Sequence, residues 1–506
     1  MSKEVYSLPA LKWAAWQFLT GKALSAALTF ILLLWLVRLL PLAEYGAYVV
    51  FIAGTELGFA LAGLGLPWLA ARYLPDYRLH TDGLTLARLC RRLVLWQTLA
   101  FIALAIVIAF ALDAYLRWAG LSNYRDAAWL ALALLVFEGL ARFLRDGLMA
   151  PLMLQAQARL SLVLRQLAFL SVIAVLAFAG QVELVWVLAV EAGASVLGLV
   201  VAGIAIARHL RVLREQAADS GWQEPLFAEQ WRIALRMYAA HIVTLAYGPQ
   251  VFLNLVQRAL GAEAAALFGF VRTLSDQVAR YLPASLLFTI LRPKLMASHF
   301  EWGMATLARQ ANLAGKLSLF ALLPLILMAA LGGDALVSMI SGGKFETGGL
   351  YLVGLLLTLI PFSQRQLIET VAVAAGRAGL CVLGSALGLF ALPLMFHMLD
   401  LGIGLWAPVL AILFGQVLFN VTVLSGLKRI GYQADWPGAA KLATSASMAW
   451  LAANGIILVV QGLAGITLAI LLASVLFIAL VWRFQAFTTE ERQSIDGLLG
   501  RRFFAR

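Results

Sequence analysis

About fourteen runs of apolar residues, each close to twenty residues long, recur along the chain with short polar stretches between them. A hydrocarbon layer about 30 Å thick is crossed by about 20 residues of α-helix. Inside that layer every backbone N–H and C=O must find its partner within the spanning element, so runs of this length read as helices. The runs lie near 13–37, 45–69, 93–112, 127–149, 165–180, 184–206, 235–257, 264–290, 313–332, 350–373, 379–399, 404–427, 441–461 and 465–485. The fifth is short, and the connection at 180–183 is tight. The expected fold class is therefore all-α: a polytopic membrane protein with about fourteen transmembrane helices.

Composition agrees. Of 506 residues, 63% are hydrophobic and 13% charged, where a soluble domain carries about 25% charged residues. The net charge of +12 raises the question of nucleic acid. The basic residues flank the apolar runs instead of forming one patch, so no nucleic-acid partner is expected. Cys90 and Cys381 stand too far apart in sequence for a ligand-like spacing, which excludes a disulfide framework or zinc cluster as the organising principle. The stretch 23–40 is too long for the apolar core of a signal peptide and has no small-residue cleavage site after it, so it is expected to be the first span.

Charge sets the expected orientation. With a cytoplasmic amino terminus behind Lys3 and Lys12, one side collects Arg88, Arg91 and Arg92, then Arg208, Arg211 and Arg214, and then Arg292 and Lys294. Lys428 and Arg429 follow, and finally Arg501, Arg502 and Arg506. Roughly 27 of the 38 Lys and Arg fall on that side, about 5 on the other and about 6 within spans. Positive charge inside and an even span count then put both termini on the cytoplasmic side of the membrane. The longest outer connection is expected at 333–349. A membrane glycosyltransferase, polymerase or ligase needs a larger outer loop for its acceptor and catalytic groups, so an enzyme is not expected.

Short motifs recur at an offset of about 218–219 residues: Glu44 answers Glu263 and Arg159 answers Arg377. Such an offset makes two six-helix halves in parallel topology, an arrangement common in transporters that bind substrate between halves. The expected organisation is a six-helix lobe over 1–215, a second over 216–430, and an added helix pair with a basic tail over 431–506.

Ionisable residues inside spans cost about 2.5–3.5 kcal/mol each and need partners, water or a function. Glu138, Arg142, Arg145 and Asp146 lie in span four, Arg272, Asp276 and Arg280 in span eight, and Arg365 and Glu369 in span ten. Glu56, Glu191, Lys22 and His241 lie in spans two, six, one and seven. Spans three, five, nine, twelve, thirteen and fourteen are expected to be uncharged inside and to face lipid. Steps of i,i+4, such as Glu138–Arg142, Arg272–Asp276 and Arg365–Glu369, share one helix face. Either these stripes neutralise each other and hold the bundle, or they line a hydrated cavity whose arginines pair with phosphate oxygens. Six bases against six acids leave the interior formally neutral, and only span eight carries excess positive charge. The candidate cavity residues are Arg272, Arg280, Asp276, Arg142, Arg145, Arg365, Glu369, Glu56 and Glu138. His241 and His397 are read as packing residues, and Asn254, Asn420 and Asn454 as helix–helix hydrogen-bonding residues. Gly58, Gly63, Gly65 and Pro67 suggest a bend in span two, although close packing explains glycines equally well.

The segment from Arg38 to Tyr48 (RLLPLAEYGAY), then Gly63-Leu64-Gly65-Leu66 and Arg72-Tyr73-Leu74-Pro75, resembles the first hairpin of the polysaccharide transporter (Wzx-type) flippases. These belong to the multidrug/oligosaccharidyl-lipid/polysaccharide (MOP) exporter superfamily. Gly376-Arg377 and Leu260-Gly261-Ala262-Glu263 are similar to that group's second half. The resemblance implies a V-shaped pair of lobes rocking between inward- and outward-open states. It also implies a polyprenyl-diphosphate-linked oligosaccharide as cargo for surface or exopolysaccharide biosynthesis. In related lipid II flippases the last two spans form a lipid-facing groove, which would suit a polyprenyl tail. Membrane lipids and the lipid-linked glycan are the implied partners, with a polysaccharide polymerase or export machinery beside them. No cofactor is expected, the energy coming from an ion gradient or the membrane potential. The other readings are a cation-coupled multidrug or small-molecule antiporter of the same superfamily, a membrane enzyme, and a non-catalytic subunit of a secretion complex.

Overall fold

A computed structural model describes residues 27–213, 222, 224 and 226–499. Lys22 and the basic residues Lys3, Lys12, Arg214, Arg501, Arg502 and Arg506 lie outside them. Every regular element among the described residues is a helix. Twelve of these helices are long and apolar enough to cross a membrane. One of the twelve, His241–Tyr281, takes in the end of one helix (to Leu245), a turn, and the helix Pro249–Tyr281, which is itself broken at Gly261, whose φ of 86° and ψ of −179° are not helical. The helix α1 (Ala27–Leu39) is the described part of the first run. Together these make up about fourteen spans, as the apolar runs predict.

The chain forms two compact units, Met1–Ala266 and Leu267–Arg506. The first holds α1, α2 (Leu42–Ala62), α3 (Leu66–His80), α4 (Gly83–Ala119), α5 (Arg125–Arg142), α6 (Gln155–Phe178), α7 (Leu184–Val212) and α8 (Phe227–Leu245). It also holds the first part of α9 (Pro249–Tyr281), before and just past Gly261. Span two, read as 45–69, is broken. Leu64 and Gly65 take positive φ of 45° and 79°, and a β-carbon on Gly65 would run into the Ala234 carbonyl oxygen of α8. Only glycine fits so tight a left-handed turn. The fifth span is not short either, because the helix starts at Gln155 and its first turns are polar. After Arg142 the backbone of α5 passes into a π-helix, Phe143–Met149.

The second unit holds the rest of α9, α10 (Pro283–Ser341), α11 (Gly349–Ala374), α12 (Ala378–Gly388), α13 (Ala391–Asp400), α14 (Trp406–Lys428), α15 (Trp436–Val459), α16 (Gly462–Arg483) and α17 (Thr489–Leu499). Span eleven, expected at 379–399, is interrupted between α12 and α13. The glycine-rich outer connection shrinks to 342–348. Gly333 and Gly349 instead bring the backbones of α10 and α11 together, a β-carbon on Gly349 lying 2.5 Å from the Gly333 carbonyl carbon, while Gly349 N–H donates to Asp334 Oδ1 at 2.7 Å. Asn420 does bridge helices, donating to Pro361 O at 2.8 Å, whereas the half-buried Asn454 donates to Trp450 O on its own helix.

Lys316 corrects the expectation that span nine is uncharged. It is 3% exposed, and its Nζ lies 2.6 Å from Asp435 and 2.5 Å from Glu491. Asp435 also caps α15, accepting from Gly438 N–H at 2.9 Å. Thr488 and Glu491 form the reciprocal capping box that starts α17, with Thr488 N–H donating to Glu491 Oε2 at 2.9 Å. Burial works against the Asp435 carboxylate, but hydrogen bonds from Lys316 and Gly438 hold it below the usual carboxylate range. A depressed folded value contributes stability above the unfolded pKa and loses it as pH falls through the folded one. Lys316→Met should therefore loosen α17 by roughly 3–5 kcal/mol, the cost of stripping a buried pair of its partner. Anisotropy of a fluorophore at Ser494→Cys reports this, and the wild type should show the same loosening only on acidification below the ordinary carboxylate range.

Candidate functional site

Glu138 sits on α5, Arg165 on α6 and Glu191 on α7, and the packing of these helices puts the three side chains in one buried row. Arg165 Nε lies 2.7 Å from Glu138 Oε2, and its Nη2 donates to Glu191 Oε1 at 3.1 Å. Arg145, reached through the π-turn, donates to Glu138 Oε1 at 2.6 Å. Tyr48 of α2 donates to Glu191 Oε2 at 3.1 Å, and Ser195 Oγ accepts from Arg165 Nε at 3.0 Å. The four charged side chains are only 6–13% exposed. Two guanidinium and two carboxylate groups cancel, which is how charge survives in a low-dielectric interior.

The expected stripe Glu138–Arg142 is not the pair that forms. Glu138 meets Arg145, seven residues on and nearly two full turns away, while Arg142 turns out to Asp146 at 3.7 Å with both half exposed or more. Arg142 also lies over the Phe59 ring at 5.6 Å. Arg165 was missed because the apolar run stops at it; it lies well inside α6, so span five is charged after all. Its signal in the sequence is the polar but helix-compatible stretch Gln155–Arg165, which lacks any glycine or proline stop. Glu56 accepts from Gln250 of α9 at 3.1 Å, apart from this row.

In the second unit Arg272 is buried and lies 3.3 Å from the half-exposed Asp276, one turn on. Arg280, two turns further along α9, is exposed. Arg365 of α11 stacks on Phe419 of α14 at 3.9 Å, a cation–π contact, and Glu369 follows one turn later, half-buried. His241, in the first unit, packs edge-on to Trp68 at 5.2 Å. Among the described residues no cluster of histidine, cysteine and carboxylate has the arrangement of a metal site.

The first unit also contains a separate, apolar cavity of about 440 Å³ between α2, α4, α5 and α9. Its polar lining groups are already engaged. Tyr115 donates to Asn254 Oδ1 at 2.6 Å, Asn254 Nδ2 to Gln250 O at 2.8 Å, and Thr55 to Ile52 O at 2.8 Å.

No protein-family model matches the sequence, and no curated protein matches it. Solved structures do. The lipid II flippase MurJ in an inward-closed conformation superposes with a TM-score of 0.71 at 10% identity, covering 92% of this chain and 98% of that one. The fold is that of the MOP superfamily transporters. An inward-facing multidrug resistance MATE family transporter of that superfamily matches with a TM-score of 0.58 at 16% identity, over 81% of this chain and 94% of its own. A mutant of the Vibrio cholerae MATE transporter VcmN matches at 0.53, with 16% identity, over 83% and 96%.

The geometry makes Arg165 the keystone of the first unit. Arg165→Ala strips Glu191 of its guanidinium partner and leaves Glu138 with Arg145, and should cost about 3–5 kcal/mol. Arg142→Ala removes an exposed pair worth about 1 kcal/mol or less. Thermal unfolding of the detergent-purified protein should separate the two variants; equal melting temperatures would overturn the keystone role.

Proposed function

We propose that the chain is a flippase that moves a polyprenyl-diphosphate-linked oligosaccharide across the bacterial inner membrane by alternating access, for surface or exopolysaccharide biosynthesis. The observation that carries this reading is the extent of the likeness to the lipid II flippase, 92% of the chain against 81% for the MATE transporter. The difference is about the length of α15 and α16, the last two helices long and apolar enough to cross a membrane among the described residues. A cargo with a long hydrocarbon tail gives such a pair a use.

In this reading Arg272 and Arg280 of α9 meet the diphosphate, because planar guanidinium groups pair with phosphate oxygens in bidentate fashion. Asp276 holds Arg272 in register between cargoes. Arg365, Glu369, Glu56 and Arg142 serve the glycan. Glu138 and Arg145 act as bracing for the first lobe, since their charges are spent on one another and on Arg165. The termini face the cytoplasm, as the distribution of Lys and Arg directs. The MATE likenesses favour the second reading, a cation-coupled antiporter of small molecules. It differs in requiring a site for the cation and none for a lipid tail.

Arg272→Ala or Arg280→Ala should abolish polysaccharide export while the protein stays in the membrane, and normal export in either would sink the assignment. Single cysteines replacing Ala43 and Gly348 should react with impermeant maleimide from the periplasm, and one replacing Gly83 only after permeabilisation.

A further inference from the structure

The helix α4 is exposed along one face, and toward its start that face turns from apolar to basic. At about 100° of rotation per residue, Leu95, Leu99, Ile102 and Ile106 fall on one stripe, and they are 43–58% exposed. The opposite stripe, with Leu89, Cys90, Leu93 and Gln97, is buried to within 1–5%. On a helix long and apolar enough to cross a membrane, the exposed apolar stripe faces hydrocarbon. Carried back toward Gly83, the same stripe holds Arg88, Arg91 and Arg92, all exposed. From Gly83 to Leu112 the sequence has no carboxylate to set against them.

Helix length fixes the depth of these arginines. α4 has 37 residues, about 55 Å of helix, against about 30 Å of hydrocarbon. The apolar run begins at Leu93, so Arg92 precedes it by about 1.5 Å along the axis and Arg88 by about 7.5 Å. The headgroup layer is about 5–7.5 Å thick on each side of the hydrocarbon, and the three residues fall within it. Trp96, half-exposed and edge-on to Trp231 of α8 at 6.1 Å, marks the boundary one turn deeper, where tryptophan collects at membrane–water interfaces. Little of the positive charge is spent inside the protein. Arg91 has no counter-charge among the described residues. Asp82, just before the first turn, is held below the usual carboxylate range mainly by a hydrogen bond from the Thr85 side chain, with Arg88 a minor influence. Residues three and four apart stand about 5–6 Å from each other at their β-carbons, close enough for two guanidinium groups to share one phosphate.

We propose that Arg88, Arg91 and Arg92 bind the phosphate of an anionic glycerophospholipid whose acyl chains lie along Leu95, Leu99 and Ile102. Charge decides the occupant. Three cations on a stripe without a carboxylate favour a lipid of net negative charge over a zwitterionic one, whose own ammonium would face the arginines. On the other side of the same helix, Gln97 donates to Ala62 O at 2.8 Å, at the break in span two. The lipid thus fixes the depth of the helix that holds this break. The site stands whichever cargo the protein carries.

The full-length protein in phosphatidylcholine nanodiscs is photolabelled with trace phosphatidylglycerol carrying a diazirine near its headgroup, and in parallel with the matching phosphatidylcholine probe. The phosphatidylglycerol probe should label peptides covering Leu84–Leu99 well above the phosphatidylcholine probe. Arg91→Gln should lower that preference about fivefold, and Arg88→Gln/Arg91→Gln/Arg92→Gln should abolish it. Arg208→Gln/Arg211→Gln, which removes two exposed charges from the end of α7, should leave it unchanged. If the triple variant does not fold, the wild-type ratio of the two probes and the Arg91→Gln variant decide. Equal labelling by both probes in the wild type would reduce the stripe to a solvated charged face and overturn the proposal. A preference that survives Arg91→Gln at full strength would overturn it, and so would an equal loss in Arg208→Gln/Arg211→Gln, since attraction to the overall surface charge would then suffice.

Discussion

A charged group held away from water needs a counter-charge, and each unit of this protein meets that constraint in the same way. In the first, Arg165 lies between Glu138 and Glu191; in the second, Lys316 lies between Asp435 and Glu491. In both cases one cation is bracketed by carboxylates from separate elements. Removing the cation is far worse than never having the trio, because largely buried carboxylates are left short of a partner. The first trio ties α5, α6 and α7, with Tyr48 adding α2. The second ties α10 to the start of α15 and to α17.

Bracing of this kind suits a membrane helix bundle. Helices in lipid gain little from hydrophobic burial against each other, so packing and polar contacts carry more of their association. A lobe that moves as a body needs fixed internal geometry, and a buried ionic row supplies direction as well as attraction. Flexibility is placed elsewhere, at breaks such as Leu64–Gly65, Gly261 and the interruption between α12 and α13, where the helix ladder is already open.

Span number and helix class were legible in the sequence because hydropathy over about twenty residues is a strong signal. Charge pairing was not. The i,i+4 rule holds for Arg272 and Asp276, which stay on one helix, but Glu138 chose partners seven residues away and on another helix. Arg165 and Lys316 stand at the start of their apolar runs, where a charge reads as a flank, and carboxylates from elsewhere in the chain let the fold bury them. The glycines of 333–349 read as a loop, and two of them turned out to be contact points where backbones touch. Such contacts depend on which helices become neighbours, and periodicity along one helix carries no such information. The apolar cavity beside α4 was equally invisible, since its lining is assembled from four separate runs.

The π-turn at Phe143–Met149 adds a consequence of its own. It inserts extra backbone into one helical turn, and Arg145 lies within it. Losing a single residue there would let the helix close up as an ordinary α-helix and swing everything beyond it by about 100° around the axis. Arg145 would leave Glu138 without any side chain having been changed. Length in this segment is thus under tighter constraint than side-chain identity. Relatives that keep the ionic row are expected to vary in the residues of the turn but not in their number.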